Sequence, residues 1–148
     1  MTGRPDFTTE IAGTVDAGSS GTDWFQQAQD QTQVLKSGSG SGNSTVVLYT
    51  VTTGKTLYLT FAFFSVVESG VAVWGGNLFV TNASDVTQYF IFNANGVNEG
   101  TGFSSNECVR LANFMVPLKI PTGYKIKIAG SIADAGNLFN GFIQGLEL

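Results

Sequence analysis

Apolar and polar residues alternate along most of the chain beyond residue 45, and turn-forming residues interrupt the alternation at short intervals. The stretch 56–67 shows the pattern over its greatest length, with Leu57, Leu59, Phe61 and Phe63 on one predicted strand face. A spacing of roughly eight to twelve residues between turn signals is typical of β-sandwiches and barrels. The pattern therefore predicts an all-β domain from residue 46 onward, without a helix of normal length.

The strands predicted by this pattern are separated by clusters of Gly, Asn, Thr and Pro. They span residues 46–51, 56–67, 71–74, 78–81, 87–93, 109–116, 124–129 and 141–148, with a turn at 137–140. Gly75, Gly76 and Asn77 predict a tight hairpin turn. Pro117 and Pro121 are predicted to lie at an edge or corner, because proline cannot donate a hydrogen bond to a central ladder.

Two further features concern exposure. In the stretch 124–129, Ile126 and Ile128 are predicted to face inward, whereas the alternating lysines face outward and suit an exposed or edge strand. Residues 94–106 are rich in Asn and Gly and are the best candidate for an exposed functional loop, although a plain solvated connection fits the same composition.

One nine-residue pattern occurs twice. Residues 51–59 read VTTGKTLYL and residues 120–128 read IPTGYKIKI, so that an apolar residue, a Thr-Gly turn and an alternating strand follow one another in both. Two equivalent corners are expected of a double Greek-key jelly roll, although two unrelated β-turns can also look alike. The fold class predicted here is an all-β sandwich of the jelly-roll type with an extended N-terminal arm.

The arm is predicted from a change in composition near residue 45. Residues 1–45 contain few large apolar groups and cannot form their own core. Residues 37–42 alternate Ser and Gly, which is the composition of a flexible linker. We therefore expect an arm and linker over residues 1–45 and a sandwich over residues 46–148.

Apolar residues within this polar arm must be covered by something. Trp24 and Phe25 are adjacent aromatics, and they either dock on the chain's own sandwich or anchor the arm in a neighbouring subunit. We predict the second arrangement, with Val34 and Leu35 as further subunit contacts.

Composition and charge narrow the possible partners. Charged residues make up 12% of the chain, about half of the roughly 25% usual in soluble domains, so the surface is polar but largely uncharged. Such a surface suits subunits that meet over wide areas, although an ordinary sandwich of low charge would share it. The net charge of −4 and the scattered basic residues argue against nucleic-acid binding. No apolar run approaches the roughly 18 residues of a membrane span, and no secretory signal is apparent.

The residues offer little for catalysis. The chain has no histidine, which removes the commonest general base and the usual Cys/His zinc sites. The loop and strand-end carboxylates Asp85, Glu99, Glu107 and Asp134 are not paired in sequence, and Cys108 is expected to be a small buried apolar residue. We predict no enzymatic activity, no cofactor and no metal, with a hydrolase built from scattered carboxylates as an open alternative.

The Thr-Gly-Lys turn and Thr-Leu-Tyr-Leu-Thr strand within residues 47–64, the Pro-Leu-Lys-Ile-Pro-Thr-Gly-Tyr run within 114–128 and the final strand at 141–147 resemble small single jelly-roll virion proteins of phages and archaeal viruses. The resemblance covers residues 46–148 through strand pattern. It implies a non-enzymatic capsid decoration or cement protein, or a small capsid subunit. It also implies a homo-oligomer, a trimer or a capsomer, bound to copies of itself and to other capsid proteins in a virion assembled in the host cytoplasm. The alternative is a carbohydrate- or receptor-binding module of a tail or spike, which would use loops at 74–77 or 94–106.

Overall fold

The computed structural model describes residues 32–68, 73–97, 106–131 and 136–148, and these form strands joined by turns. The strands in chain order are β1 (Thr32–Ser41), β2 (Thr45–Thr50), β3 (Leu57–Glu68), β4 (Val73–Thr81), β5 (Thr87–Val97), β6 (Asn106–Ile120), β7 (Lys125–Gly130) and β8 (Asn137–Glu147). They make two four-stranded sheets. Sheet A has the order β1-β8-β3-β6, and sheet B has the order β2-β7-β4-β5.

The strand order is that of one long hairpin rolled into a sandwich. β4 pairs with β5 at the tip of the hairpin, and moving away from the tip β3 pairs with β6, β2 with β7 and β1 with β8. Rolling this hairpin adds the pairs β8 with β3 and β7 with β4, which complete the two sheets. Eight strands arranged in this way are a jelly roll of two Greek keys, which confirms the predicted fold class.

The core lies between the two sheets and is built from their inward side chains. Its largest fully buried members are Phe64, Phe139, Leu57, Leu59, Leu78, Ile120, Ile126, Ile128, Ile143, Val51 and Val66. The predicted inward orientation of Ile126 and Ile128 is therefore confirmed. Their strand, β7, lies between β2 and β4 rather than at an edge, so the lysines beside them mark an outer sheet face and not a sheet edge.

A β-bulge in β3 corrects the predicted face of that strand. Leu57 and Leu59 share the core face, but the register against β8 shifts between Leu59 and Phe61, where Thr60 is the extra residue. The shift reverses the alternation, so Phe64 is fully buried and Phe63 lies on the outer face. A one-residue bulge exchanges the two faces of every residue that follows it.

The predicted hairpin turn at 75–77 is wrong, because these residues lie inside the continuous strand β4. Glycine at position 76 leaves room for a core side chain, because a Cβ at this position would lie 2.7 Å from Cζ of Phe64 on the opposite sheet. The turn between β4 and β5 instead occupies residues 82–86 and includes Asp85 in the left-handed region, with φ 64°. The predicted turn at 137–140 likewise lies within β8, which alternates cleanly between the core and the outer face.

Residues 37–41 of the Ser-Gly tract that composition predicts to be a linker belong to β1, and Gly42 lies in the turn that follows. Its glycines face inward, where a Cβ on Gly38 would lie 2.8 Å from Cδ2 of Leu48, and a Cβ on Gly40 would overlap the Phe139 ring. Its serines alternate with the glycines and face solvent. The sandwich therefore includes β1. Residues 1–31 lie outside the described residues, and an arm in that part of the chain stays a prediction.

The two similar sequence corners are equivalent turns that bind each other. In the first, Lys55 N–H donates to the Thr52 carbonyl, and in the second Tyr124 N–H donates to the Pro121 carbonyl at 3.2 Å. Each turn places its glycine at positive φ, 80° for Gly54 and 74° for Gly123, as the third position of a type II turn requires.

Hydrogen bonds join the two corners directly. Thr122 Oγ1 accepts from Gly54 N–H at 2.9 Å and donates to the Thr52 carbonyl at 3.1 Å, while Gly123 N–H donates to the Val51 carbonyl. The repeated pattern thus corresponds to the same corner built twice, as predicted. Pro121 lies at the second corner and Pro117 on the edge strand β6, which agrees with the positions expected of proline.

We predict that Gly40→Val lowers the free energy of unfolding by about 1–3 kcal/mol, because the added side chain must displace Phe139 from the core. The matched variant Ser39→Val changes the outward face of the same strand, and its effect should stay within about 0.5 kcal/mol. Urea unfolding followed by fluorescence measures both values. Equal effects of the two variants would contradict the inward placement of the glycines.

Candidate assembly surface

The end of the sandwich at which β8 begins is closed by a buried amide. Asn137 is fully buried, and its Oδ1 accepts from Gly75 N–H at 3.1 Å while its Nδ2 donates to the Gly75 carbonyl at 2.9 Å. The Asn137 backbone carbonyl accepts from Gly42 N–H, and Nδ2 also reaches the Gly42 carbonyl at 3.3 Å. One side chain therefore connects sheet A, the middle of sheet B and the turn between β1 and β2.

The other end of β8 is closed by a buried carboxylate. Glu147 is 2% exposed, and its Oε1 accepts from Thr52 N–H at 2.7 Å. Burial raises the pKa of the nearby Tyr49 hydroxyl, a hydrogen bond with Thr52 opposes this shift, and Glu147 adds to it. Asn137 and Glu147 both stabilise the closed ends of the sandwich, because they form hydrogen bonds within the chain.

The structure separates the residues predicted to contact other subunits. Val34 is 2% exposed and packs in the chain's own core, so its side chain is not available to a neighbour. Leu35 points the opposite way along β1 and is 50% exposed, and its role as a subunit contact stays a prediction. Trp24 and Phe25 lie outside the described residues.

The outer face of sheet A is the most apolar outer surface that the described strands form. Its central row consists of Leu111 on β6, Phe63 on β3 and Phe142 on β8, which are aligned by strand register. Phe61 extends this row diagonally, because its ring lies 5.9 Å from that of Phe142. Leu111 is 62% exposed, so this row presents hydrocarbon to solvent.

The outer face of sheet B carries charges instead. Asp85 Oδ1 accepts from Lys125 Nζ at 2.8 Å and from Lys127 Nζ at 2.7 Å. These two hydrogen bonds hold the pKa of the Asp85 carboxyl at about 2, below its usual value of 3.8. Phe79 and Phe90 form a ring pair on the same face at 5.9 Å. Because charge desolvation is costly, this face is less suited to burial than sheet A.

A second irregularity makes β6 project from the sandwich. Asn113 of β6 pairs with Phe61 of β3, and the next pair along the ladder is Leu118 with Leu59. Four residues of β6 therefore lie opposite a single residue of β3. The intervening residues include Met115, which is 99% exposed, and Val116, which is 84% exposed. The edge of sheet A therefore carries an apolar projection. It was not predicted from sequence, where these residues read as an ordinary strand.

The described carboxylates do not converge on a catalytic arrangement. Asp85 is paired with lysines, Glu107 is exposed on β6, and Glu99 and Asp134 lie outside the described residues. Among the described residues, no three His, Cys, Asp or Glu side chains are grouped so that they could hold a metal ion. Cys108 is buried, as predicted. No helix within the described ranges has the length and apolar character needed to cross a membrane.

The loops proposed for sugar or receptor binding have different outcomes. Trp74 lies in β4, is partly buried against the core and packs over Gly96, where an added Cβ would overlap the indole. Its ring is therefore engaged within the protein rather than presented as a free platform. Residues 94–97 belong to β5, and 98–105 lie outside the described residues.

Comparison with known proteins yields fold similarities alone. No protein-family model matches the sequence, and no curated protein matches it. Among solved structures, Eiger TNF from S. frugiperda is 8% identical with a TM-score of 0.46, covering 77% of this chain and 92% of that chain. The cyanophage Pam1 capsid asymmetric unit is 12% identical with a TM-score of 0.39, covering 78% of this chain and 84% of that chain.

A third similar structure is that of the infectious bursal disease virus Gx strain, which is 14% identical with a TM-score of 0.33. The match covers 80% of this chain but 32% of that one, so this chain spans about a third of the larger protein. These TM-scores are below 0.5, and the similarities carry no functional assignment.

Replacing Asn137 with Ala should lower the free energy of unfolding by about 2–3 kcal/mol, because the buried Gly75 amide and carbonyl lose their side-chain partner. The control is Asn93→Ala on the exposed face of β5, for which we expect a change within about 0.5 kcal/mol. Urea midpoints at unchanged m-values provide the comparison. A stable Asn137→Ala protein would show that the amide does not hold the two sheets together.

An NMR titration of the Asp85 carboxyl should give a pKa of about 2 in the natural chain and a value near 3.8 after Lys125→Met and Lys127→Met. Since the folded-state pKa is depressed, the stabilisation from this group is complete above pH 3.8 and is lost as the pH falls towards 2. An unchanged pKa in the double variant would show that the lysines do not cause the shift.

Proposed function

We propose that this chain is a non-enzymatic structural protein of a virus particle, either a capsid decoration or cement protein or a small single jelly-roll capsid subunit. It binds copies of itself and other capsid proteins through its N-terminal arm and its sheet edges. The observation that carries the proposal is the strand order, since jelly rolls of eight strands and two Greek keys are the architecture of many viral capsid domains.

The distribution of charge supports a role in assembly. Only 12% of the residues are charged, and on sheet B the Asp85 carboxylate pairs with both Lys125 and Lys127. Sheet A exposes its central row, which includes Leu111, and its edge exposes Met115 and Val116. Surfaces of this kind can be covered by neighbours without desolvating many charges.

The arm supplies a second element of the proposal. Residues 1–31 are polar except for a few apolar positions, among them Trp24 and Phe25. A segment that orders on binding loses conformational entropy, but it can cover a wide surface of a neighbour. The proposed arm ends before residue 32, earlier than composition suggests, because β1 belongs to the sandwich.

The rival function is a carbohydrate- or receptor-binding module, since lectins also use jelly rolls. Trp74 packs over Gly96 and against the core, which does not support the use of its ring as a binding platform. Competable binding on a glycan array would support the rival, and it would assign the protein to recognition rather than to assembly.

The arm is tested in the full chain by Trp24→Ser with Phe25→Ser, using size-exclusion chromatography with light scattering. We expect the assemblies of the double variant to have a lower molar mass than those of the natural chain, because the two aromatic side chains that anchor the arm are removed. The control is Val47→Ser with Val86→Ser, which changes two exposed valines outside sheet A and the arm. Assemblies of unchanged mass in the aromatic variant would contradict a role for the arm.

A shortened chain offers a second test. It should begin at Thr32 rather than near Asn43, because a cut at Asn43 would remove β1 and with it the core residue Val34. Loss of assembly in the chain that begins at Thr32, with its unfolding transition retained, would support the arm as the connecting element.

A further inference from the structure

The outer face of sheet A consists of five rows whose composition changes symmetrically from the centre outward. The rows are fixed by the registers of β6, β3 and β8. The central row is Leu111, Phe63 and Phe142. In the five described rows, neither β3 nor β8 places a charged residue outward. The centre of this face is therefore apolar, and charge is confined to its ends on β6.

The rows on either side of the centre carry amides on β8. Asn140 occupies the row on one side, next to the buried Ser65, and Gln144 occupies the row on the other side, next to Phe61. An Asn and a Gln are both donors and acceptors, so each can pair with the other.

The two outermost rows carry opposite charges. Glu107 lies at one end of the face beside Val67, and Lys119 lies at the other end with its Nζ 5.6 Å from the centre of the Tyr58 ring. Both charges are on β6 and both are exposed. A face with opposite charges at opposite ends is complementary to itself when one copy is turned end over end.

We propose that this face binds the same face of a second copy of the chain across a two-fold axis. The axis lies in the interface, perpendicular to the strands, and passes through the central row. Leu111, Phe63 and Phe142 then meet their own counterparts, as an isologous interface requires. Asn140 meets Gln144 of the other copy, and Glu107 meets Lys119 of the other copy.

The size of the face agrees with a specific but modest interface. Three strands about 4.8 Å apart and five rows about 6.7 Å apart give an area on the order of 500 Å² for each copy. The pair buries roughly 1,000 Å², the lower end of the range for specific protein interfaces. We therefore expect association that depends strongly on protein concentration. The pairing goes beyond the proposed function, since it needs neither the arm nor another capsid protein.

Sedimentation equilibrium of the full chain tests the central row. Leu111→Lys places two like charges on the axis, and we expect the dissociation constant of the pair to rise at least about tenfold. The control is Val47→Lys, which adds the same charge to the outer face of sheet B and should leave the constant unchanged within about twofold. Thermal unfolding of both variants verifies that each is folded.

Charge exchange tests the two-fold arrangement. Glu107→Lys alone and Lys119→Glu alone each place like charges together, so each should weaken the pair several-fold. The double variant Glu107→Lys with Lys119→Glu restores complementarity, and we expect its dissociation constant to return to that of the natural chain.

A chain that stays monomeric at all concentrations, or a Leu111→Lys variant that associates as the natural chain does, would overturn the proposal. So would a double charge variant that remains as weak as the two single ones. Failure of the arm experiment alone would contradict the proposed function and leave this pairing standing. Failure of the sheet A variants alone would contradict the pairing and leave the arm in place.

Discussion

The packing of large core side chains against glycines, both between the two sheets and within sheet A, is the interaction on which the remaining structure depends. Phe64 of sheet A occupies the space left by Gly76 of sheet B, and Phe139 of β8 lies against Gly40 of β1. Because interiors are close-packed, each ring needs a position without a side chain opposite it. Gly76 lets the two sheets approach at Phe64, and Gly40 leaves room for Phe139 within sheet A. Asn137 and Glu147 then close the ends of β8 through hydrogen bonds to the backbone.

This packing also decides which surfaces remain for partners. The bulge at Thr60 moves Phe64 into the core and brings Phe61 and Phe63 to the outside of sheet A. The outer face of sheet B instead holds the Asp85 cluster with its two lysines. The outer face of sheet A thus has an apolar, uncharged centre, whereas the outer face of sheet B carries three charged side chains beside an aromatic ring pair. A jelly roll with this asymmetry is suited to subunit assembly, since one side can be covered at low desolvation cost while the other stays in water.

Much of the fold could be predicted from sequence, because strand alternation and turn chemistry are local. The inward isoleucines of β7, the two Thr-Gly corners and the prolines at an edge and a corner all follow from neighbouring residues. The bulge at Thr60 could not be found in this way, since it is defined by register against β8. The glycines of β1 and β4 were predicted as a linker and a turn because their function depends on Phe139 and Phe64, which are distant in sequence. The apolar face of sheet A could not be predicted for the same reason, because its rows combine residues from three strands that are far apart in sequence.

Glycine-dependent packing produces the asymmetric jelly roll that supports the proposed structural role in a virus particle. Quantitative mass spectrometry of purified particles from the source of this chain tests that role most directly. We predict that the intact chain is present in many copies per particle, in fixed proportion to the major capsid protein. Its absence from purified particles, or its presence only in trace amounts that vary between preparations, would contradict the account.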